Sequence, residues 1–170
     1  MKRMKVELKN VKFYERLSEE TNCFTATVYI DGKKAGECEN RGTGGSTNVH
    51  FSDPTIRDAF HAYAKSLPDV LCKARPEVGI HEDWSYKMSG DHLIDELFDA
   101  WLKQKESKKL DRMEAKCKDD FAKAGFPVTV RLELAGATAW TACKTAEEAP
   151  KAVAMYEAKS KAKVTSFKIV

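Results

Sequence analysis

The stretch "CFTATVYIDGKKAGECE", residues 23 to 39, constrains the fold more than any other. Phe24, Ala26, Val28 and Ile30 alternate with Thr25, Thr27 and Tyr29, the period-two pattern of a strand with one buried face. Asp31-Gly32 follows. A two-residue hairpin turn needs positive φ at both central positions, and this pair tolerates it. "KKAGECE" then returns as a partner strand, and "MKVELKNVKF", residues 4 to 13, alternates well enough to precede both. The N-terminus is therefore expected to be an antiparallel three-stranded meander.

The middle of the chain reads as helix. Asp53 can cap free amides, Pro54 suits a first helical position, and Ile56, Phe60, Tyr63 and Leu67 recur on one face until Pro68 stops the helix. Residues 68 to 90 have no clean period, and so long an irregular connection is often functional. From Asp91, the residues Leu93, Ile94, Leu97, Phe98, Trp101 and Leu102 form a broad apolar face. "KQKESKK" interrupts it, and Leu110, Met113, Cys117 and Phe121 restore a narrower stripe before Gly125 and Pro127. The pattern fits one long helix with a solvated middle, or two helices broken near Ser107.

The C-terminus reads strand, strand, helix, strand. Val128, Val130, Leu132 and Leu134 alternate, "AGAT" turns the chain, and "AWTACK" pairs back. Thr145 with Glu148 makes a capping box for a helix to about Lys159. "KVTSFKIV" closes as a strand with Thr165, Phe167 and Ile169 on one side. The fold class is α+β: an N-terminal antiparallel three-stranded meander, a helical middle with a long charged helix, and a C-terminal ββαβ unit. One domain over residues 1–170 is expected, divisible into a sheet-plus-helix part, 1–67, and a long-helix-plus-ββαβ part, 91–170.

Composition narrows the setting. With 29 basic and 26 acidic residues the net charge is +3, too slight by itself to require a nucleic-acid partner. No apolar run approaches the roughly 20 residues that cross a bilayer, and the basic start "MKRMKVELKN" lacks the apolar core of a signal peptide. The five cysteines are scattered with no CxxC pair, which suits free thiols in a reducing cytoplasm. A cytoplasmic location, no membrane and no cofactor are expected.

The candidate sites follow from these segments. "ENRGTGGSTNVHF", residues 39 to 51, lacks the Gly-Lys-Ser/Thr of a phosphate loop and the spacing of a dinucleotide fingerprint. Its plainest reading is a turn that leads from the sheet to Asp53. Its binding reading is an anion nest of the amides of Gly44, Gly45, Ser46 and Thr47, with Arg41 and His50 adding charge. Trp84 and Tyr86 lie in the irregular segment, where aromatic residues often anchor a partner.

A second candidate surface is the basic run Lys105, Lys108, Lys109, Arg112 and Lys116. It reads as a solvated helix face or as a phosphate contact for nucleic acid or an anionic small molecule. His81, Glu82, Asp83, His92, Asp95 and Glu96 allow a metal-dependent hydrolase to be considered, but no recognised ligand spacing such as HExxH occurs, so no metal site is assigned. No catalytic residue is assigned either, since no nucleophile elbow is present.

"LKNVKF", then "SEETNCFTATVYIDGKKAG", then "GTGG" together resemble the opening of small uncharacterised bacteriophage and prophage proteins. The resemblance covers about the first third of the chain and carries over no functional residues. It implies a setting in the host bacterial cytoplasm. Small phage proteins without enzyme motifs often act there by binding, so the resemblance implies stoichiometric contact with a host or phage protein, most concretely as an anti-defence inhibitor such as an anti-CRISPR protein. A nucleic-acid or nucleotide binder using residues 103–118 and the Arg41 loop is the alternative.

Overall fold

The computed structural model describes residues 4–170, which divide into two compact units with the boundary between Leu102 and Lys103. The first unit is an antiparallel sheet in the order β1–β2–β3–β4, formed by Val6–Phe13, Phe24–Ile30, Lys33–Asn40 and Asn48–Phe51. The hairpin between β2 and β3 turns on Asp31 at φ 47° and Gly32 at φ 81°, the conformation expected of that pair. The imperfect alternation of the first strand has a cause. The β1–β2 register shifts between Lys9 and Lys12, and Asn10 there takes φ 52°, a bulge that re-aims the strand.

The meander has a fourth strand. Asn48–Phe51 pairs with β3, His50 opposite Glu37 and Val49 opposite Cys38, so the expected turn between the sheet and Asp53 ends earlier, at Thr47. A strand of four residues that begins with asparagine and follows a run of glycine and serine is too short for alternation to reveal.

Phe24, Ala26 and Val28 of β2 and Cys38 of β3 pack against two helices, α1 (Pro54–Ser66) and α2 (Gly90–Lys123). Phe60 and Ala64 face inward from α1, and Leu93, Ile94 and Phe98 from α2. The Phe24 and Phe98 rings stack with centroids 4.0 Å apart. A fully buried phenylalanine of this kind stabilises by about 1.5–3 kcal/mol. Asp53 caps α1, its Oδ1 accepting the Thr55 amide at 2.8 Å.

Residues 68–90 hold a small hairpin of their own, β5 (Val70–Cys72) with β6 (Trp84–Tyr86), and a 3-10 turn over Pro76–Val78 between them. The long helix is continuous for 34 residues, with no break at Ser107. The boundary between the units falls after Leu102, where "KQKESKK" interrupts the apolar face.

In the second unit β7 (Val128–Leu134) lies between β8 (Ala137–Cys143) and β9 (Val164–Ile169), all antiparallel. α3 (Ala149–Ser160) packs on this sheet through Ala149 and Val153, over Val130, Leu132 and Cys143. This is the expected ββαβ unit. The long helix ends in a double hydrogen bond, Phe126 N–H to the Phe121 carbonyl at 2.9 Å and Gly125 N–H to the Ala122 carbonyl at 3.0 Å.

The capping box at Thr145 and Glu148 does not form. Residues Ala146–Glu148 make a 3-10 turn, the Thr145 side chain makes no cap bond, and Glu148 instead accepts the Lys144 amide at 3.0 Å. Phe167 and Ile169 share a face of β9 as expected, but on this edge strand they remain 43% and 48% exposed. Among the described residues no helix is long and apolar enough to cross a membrane.

Candidate functional site

The glycine-rich run is organised by a buried asparagine. Asn40 ends β3 on the same inward face as Cys38, and its side chain uses its full hydrogen-bonding capacity. Oδ1 accepts from the Thr21 hydroxyl and the Gly42 amide, both at 2.9 Å. Nδ2 donates to the Gly45 carbonyl at 3.1 Å and to the Thr47 hydroxyl at 3.0 Å. The Thr47 hydroxyl in turn donates to Asp95 of α2.

A nest of amides exists here, but the glycines do not build it. The N–H groups of Glu19, Glu20 and Thr21 converge on the Gly42 carbonyl at 2.9, 2.9 and 3.2 Å, so the nest is filled by the loop's own backbone. Gly42 sits at φ 83°, and a Cβ there would fall 2.2 Å from the Leu17 carbonyl oxygen, so only glycine fits. The Gly44 amide is taken by the Thr21 hydroxyl at 3.3 Å.

The surroundings are acidic. A Cβ on Gly44 would meet Glu20 Oε2 at 2.2 Å, and Asp95 lies behind Thr47. Burial pushes the Asp95 carboxyl above the usual carboxylate range. Asp91 and Asp99 push the same way, against the Thr47 hydrogen bond and His92. Such a field disfavours an anion. The run from Asn40 to Thr47 therefore works as a clamp that joins the 18–22 segment, β3 and α2.

The residues proposed around the run are dispersed. Gly45 and Ser46 are exposed, whereas Thr47 is buried. Arg41 is exposed with its guanidinium 3.6 Å from the Glu39 carboxylate. His50 lies on β4 opposite Glu37 and lines a shallow polar depression with Lys12, Thr25 and Thr27. Among the described residues no hydrogen bond or ion pair joins Arg41 or His50 to Gly44, Gly45, Ser46 or Thr47.

Trp84 and Tyr86 fare differently. Val70 pairs with Tyr86 and Cys72 with Trp84 across the β5–β6 hairpin, which places all four side chains on one face. Tyr86 packs its ring on His92 of α2, centroids 4.7 Å apart, and Val70 packs on the core of the first unit, so the base of the hairpin is anchored. Trp84 lies 5.4 Å from Tyr86 and is 49% exposed. Leu71, on the opposite face, is 76% exposed, and Val78 at the tip turn is 61% exposed.

Ion pairs hold the flanks of the hairpin. Lys73 meets Asp83 at 2.6 Å and Lys87 meets Asp69 at 2.7 Å, while Asp83 also accepts the Ala74 amide at 2.8 Å. The Lys73 ammonium and that amide hold the Asp83 carboxyl below its usual range. Three-residue strands carry too little alternation to be read in advance. The readable signal was four large apolar or aromatic residues, Ile80, Trp84, Tyr86 and Met88, in an aperiodic segment.

Lys105, Lys108, Lys109, Arg112 and Lys116 are all exposed on α2. Charge divides unequally along the chain. Residues 1–102 carry 14 basic and 17 acidic side chains, and residues 103–170 carry 15 basic and 9 acidic, net −3 against +6. Among the described residues no group of three or more His, Cys, Asp or Glu is placed to hold a metal. Asp83 is committed to Lys73, and His92 to Tyr86 and to the Ser89 hydroxyl at 2.9 Å. Comparison with protein-family models, with curated proteins and with solved structures finds no match to the chain.

Proposed function

We propose that the chain is a binding protein that docks a protein partner stoichiometrically through the β5–β6 hairpin. The observation that carries this reading is the exposure of Trp84 on one face, Leu71 on the other and Val78 at the tip turn of one short hairpin whose base is pinned to the core. Large apolar side chains clustered in water on one element favour an interaction surface, and tryptophan is over-represented among residues that dominate binding energy. The anchoring matters as much as the exposure. Tyr86 against His92 and the two flanking ion pairs hold the hairpin before the partner arrives, which lowers the entropy lost on docking.

The most concrete form of the reading is an anti-defence inhibitor acting in a bacterial cytoplasm. The phage-like opening, "LKNVKF" to "GTGG", supports that setting. The test pairs the wild-type chain with the double variant Leu71→Asp/Trp84→Ser, both tagged, in lysates of bacteria that restrict phage. The reading expects one partner at fixed stoichiometry with the wild type, lost with the variant, and a matching difference in phage plating. Equal recovery by both chains, or no stoichiometric partner with either, would refute it.

A further inference from the structure

The cations of α2 fall into a register that a solvated helix does not need. At about 100° per residue, Lys105, Lys108, Lys109, Arg112 and Lys116 lie within an arc of about 100°. Every position of residues 104–117 inside that arc is Lys or Arg. Within residues 104–117 the acids point elsewhere, and one turn beyond Lys116 the same arc holds Asp119, which pairs with Lys123. Glu106 and Asp111 lie about 100° and 120° to either side of the stripe's centre, and Glu114 faces away from it. Glu114 approaches Arg131 of β7 at 3.8 Å and Lys118 at 3.7 Å.

The same helix shows what ordinary surface design looks like. Lys118 pairs with Glu114 and Lys123 with Asp119, opposite charges four residues apart. On the stripe, Lys105 and Lys109, Lys108 and Arg112, and Arg112 and Lys116 are like charges at that spacing, which repel. Lys108, Lys109, Arg112 and Lys116 make no ion pair among the described residues. The unit that carries them is the one with net charge +6. From Lys105 to Lys116 the stripe runs about 16 Å at 1.5 Å per residue, the axial length of about five phosphates on one strand of B-DNA.

We propose that this stripe is a sequence-independent binding site for the phosphodiester backbone of nucleic acid. It lies in the second unit and is independent of the hairpin reading, which concerns a protein partner of the first. An ammonium or guanidinium facing each phosphate releases condensed counterions, so affinity falls steeply with salt.

The test is fluorescence anisotropy of the full chain with labelled 20-base-pair DNA and RNA duplexes at 50, 100 and 200 mM NaCl. The comparison is the variant Lys108→Gln/Lys109→Gln/Arg112→Gln/Lys116→Gln. Glutamine has a helix propensity close to that of lysine and arginine, and far-UV circular dichroism confirms that the helix persists. The proposal expects a log–log salt slope of about −4 for the wild type on DNA and about −1 for the variant. It also expects an affinity loss of about a hundredfold or more at 50 mM salt.

The DNA and RNA arms separate the two sources of the same backbone chemistry. No binding at 50 mM, a flat salt slope, or wild-type affinity in the variant would overturn the proposal. So would binding to phosphatidylserine vesicles with none to either duplex. Should the variant lose its helix, the wild-type slope decides alone, and Lys108→Arg/Lys109→Arg/Lys116→Arg must then retain it.

Discussion

Replacing Asn40 by alanine removes the centre of the clamp at once. Four hydrogen bonds are lost, to the Thr21 hydroxyl, the Gly42 amide, the Gly45 carbonyl and the Thr47 hydroxyl, although Thr47 keeps Asp95 and Thr21 keeps the Gly44 amide. Two of these bonds, to Gly42 and Thr47, are fully buried, and the other two are partly open to water. A buried bond contributes about 1–1.5 kcal/mol and a half-solvated one about 0.5 kcal/mol, so Asn40→Ala should cost about 3 kcal/mol. Against a domain stability of about 5–15 kcal/mol this is a large fraction. Urea unfolding followed by circular dichroism and tryptophan fluorescence measures it. With an m-value near 2 kcal/mol/M the midpoint should fall by about 1.5 M. A loss below about 1 kcal/mol would mean that water or a rearranged loop replaces the asparagine, and the clamp would not be structural in the sense argued.

Two further outcomes follow from the buried ionisable groups. The Asp95 carboxyl is held above its ordinary range, chiefly by burial, so its ionisation opposes folding. Stability lost to Asp95 is then absent at pH below the ordinary carboxylate range and grows as pH rises through the elevated value. Asp95→Asn keeps an oxygen for the Thr47 hydroxyl and loses the charge. The variant should be more stable than wild type at pH 7, with the gap closing as pH falls toward 4, and a less stable variant at pH 7 would refute the assignment. Cys38 is pushed up to about 12 by burial, so about one thiol in ten thousand is ionised at pH 8. Titration of the native chain with a thiol-specific disulfide reagent should find fast reaction only at the half-buried Cys72 and Cys117, not at the buried Cys23, Cys38 and Cys143. Rapid labelling of three or more would contradict the described burial.

The elements legible in the sequence are those written by local chemistry. Asp31-Gly32 needs only its own backbone to turn, and Asp53-Pro54 caps α1 with its own next residues. The apolar face from Leu93 to Leu102 is long enough to be read as helix without its partners. What escaped depends on distant residues or on few of them. β4, β5 and β6 have four, three and three residues, and each takes its form from the strand it pairs with.

The role of Asn40 is the clearest case. Its partner Thr21 lies 19 residues upstream, and Thr47 reaches Asp95 48 residues downstream. One signal was available. Alternation in β3 places Asn40 inward with Cys38, and a polar residue at an inward position asks for a set of buried partners. The sequence allows a turn or an anion nest of the Gly44 to Thr47 amides, and neither reading points to the Gly42 carbonyl as the acceptor of the Glu19, Glu20 and Thr21 amides.

The β5–β6 hairpin, and not the glycine-rich run, is proposed as the contact surface of the first unit. Amide hydrogen exchange of the chain, alone and in the complex recovered from the lysate, tests it most directly. New protection is expected to concentrate in residues 70–86, with the exchange of 40–47 the same in both states because the Asn40 clamp is already formed. Protection centred on 40–47, or a complex that leaves 70–86 unchanged, would contradict it.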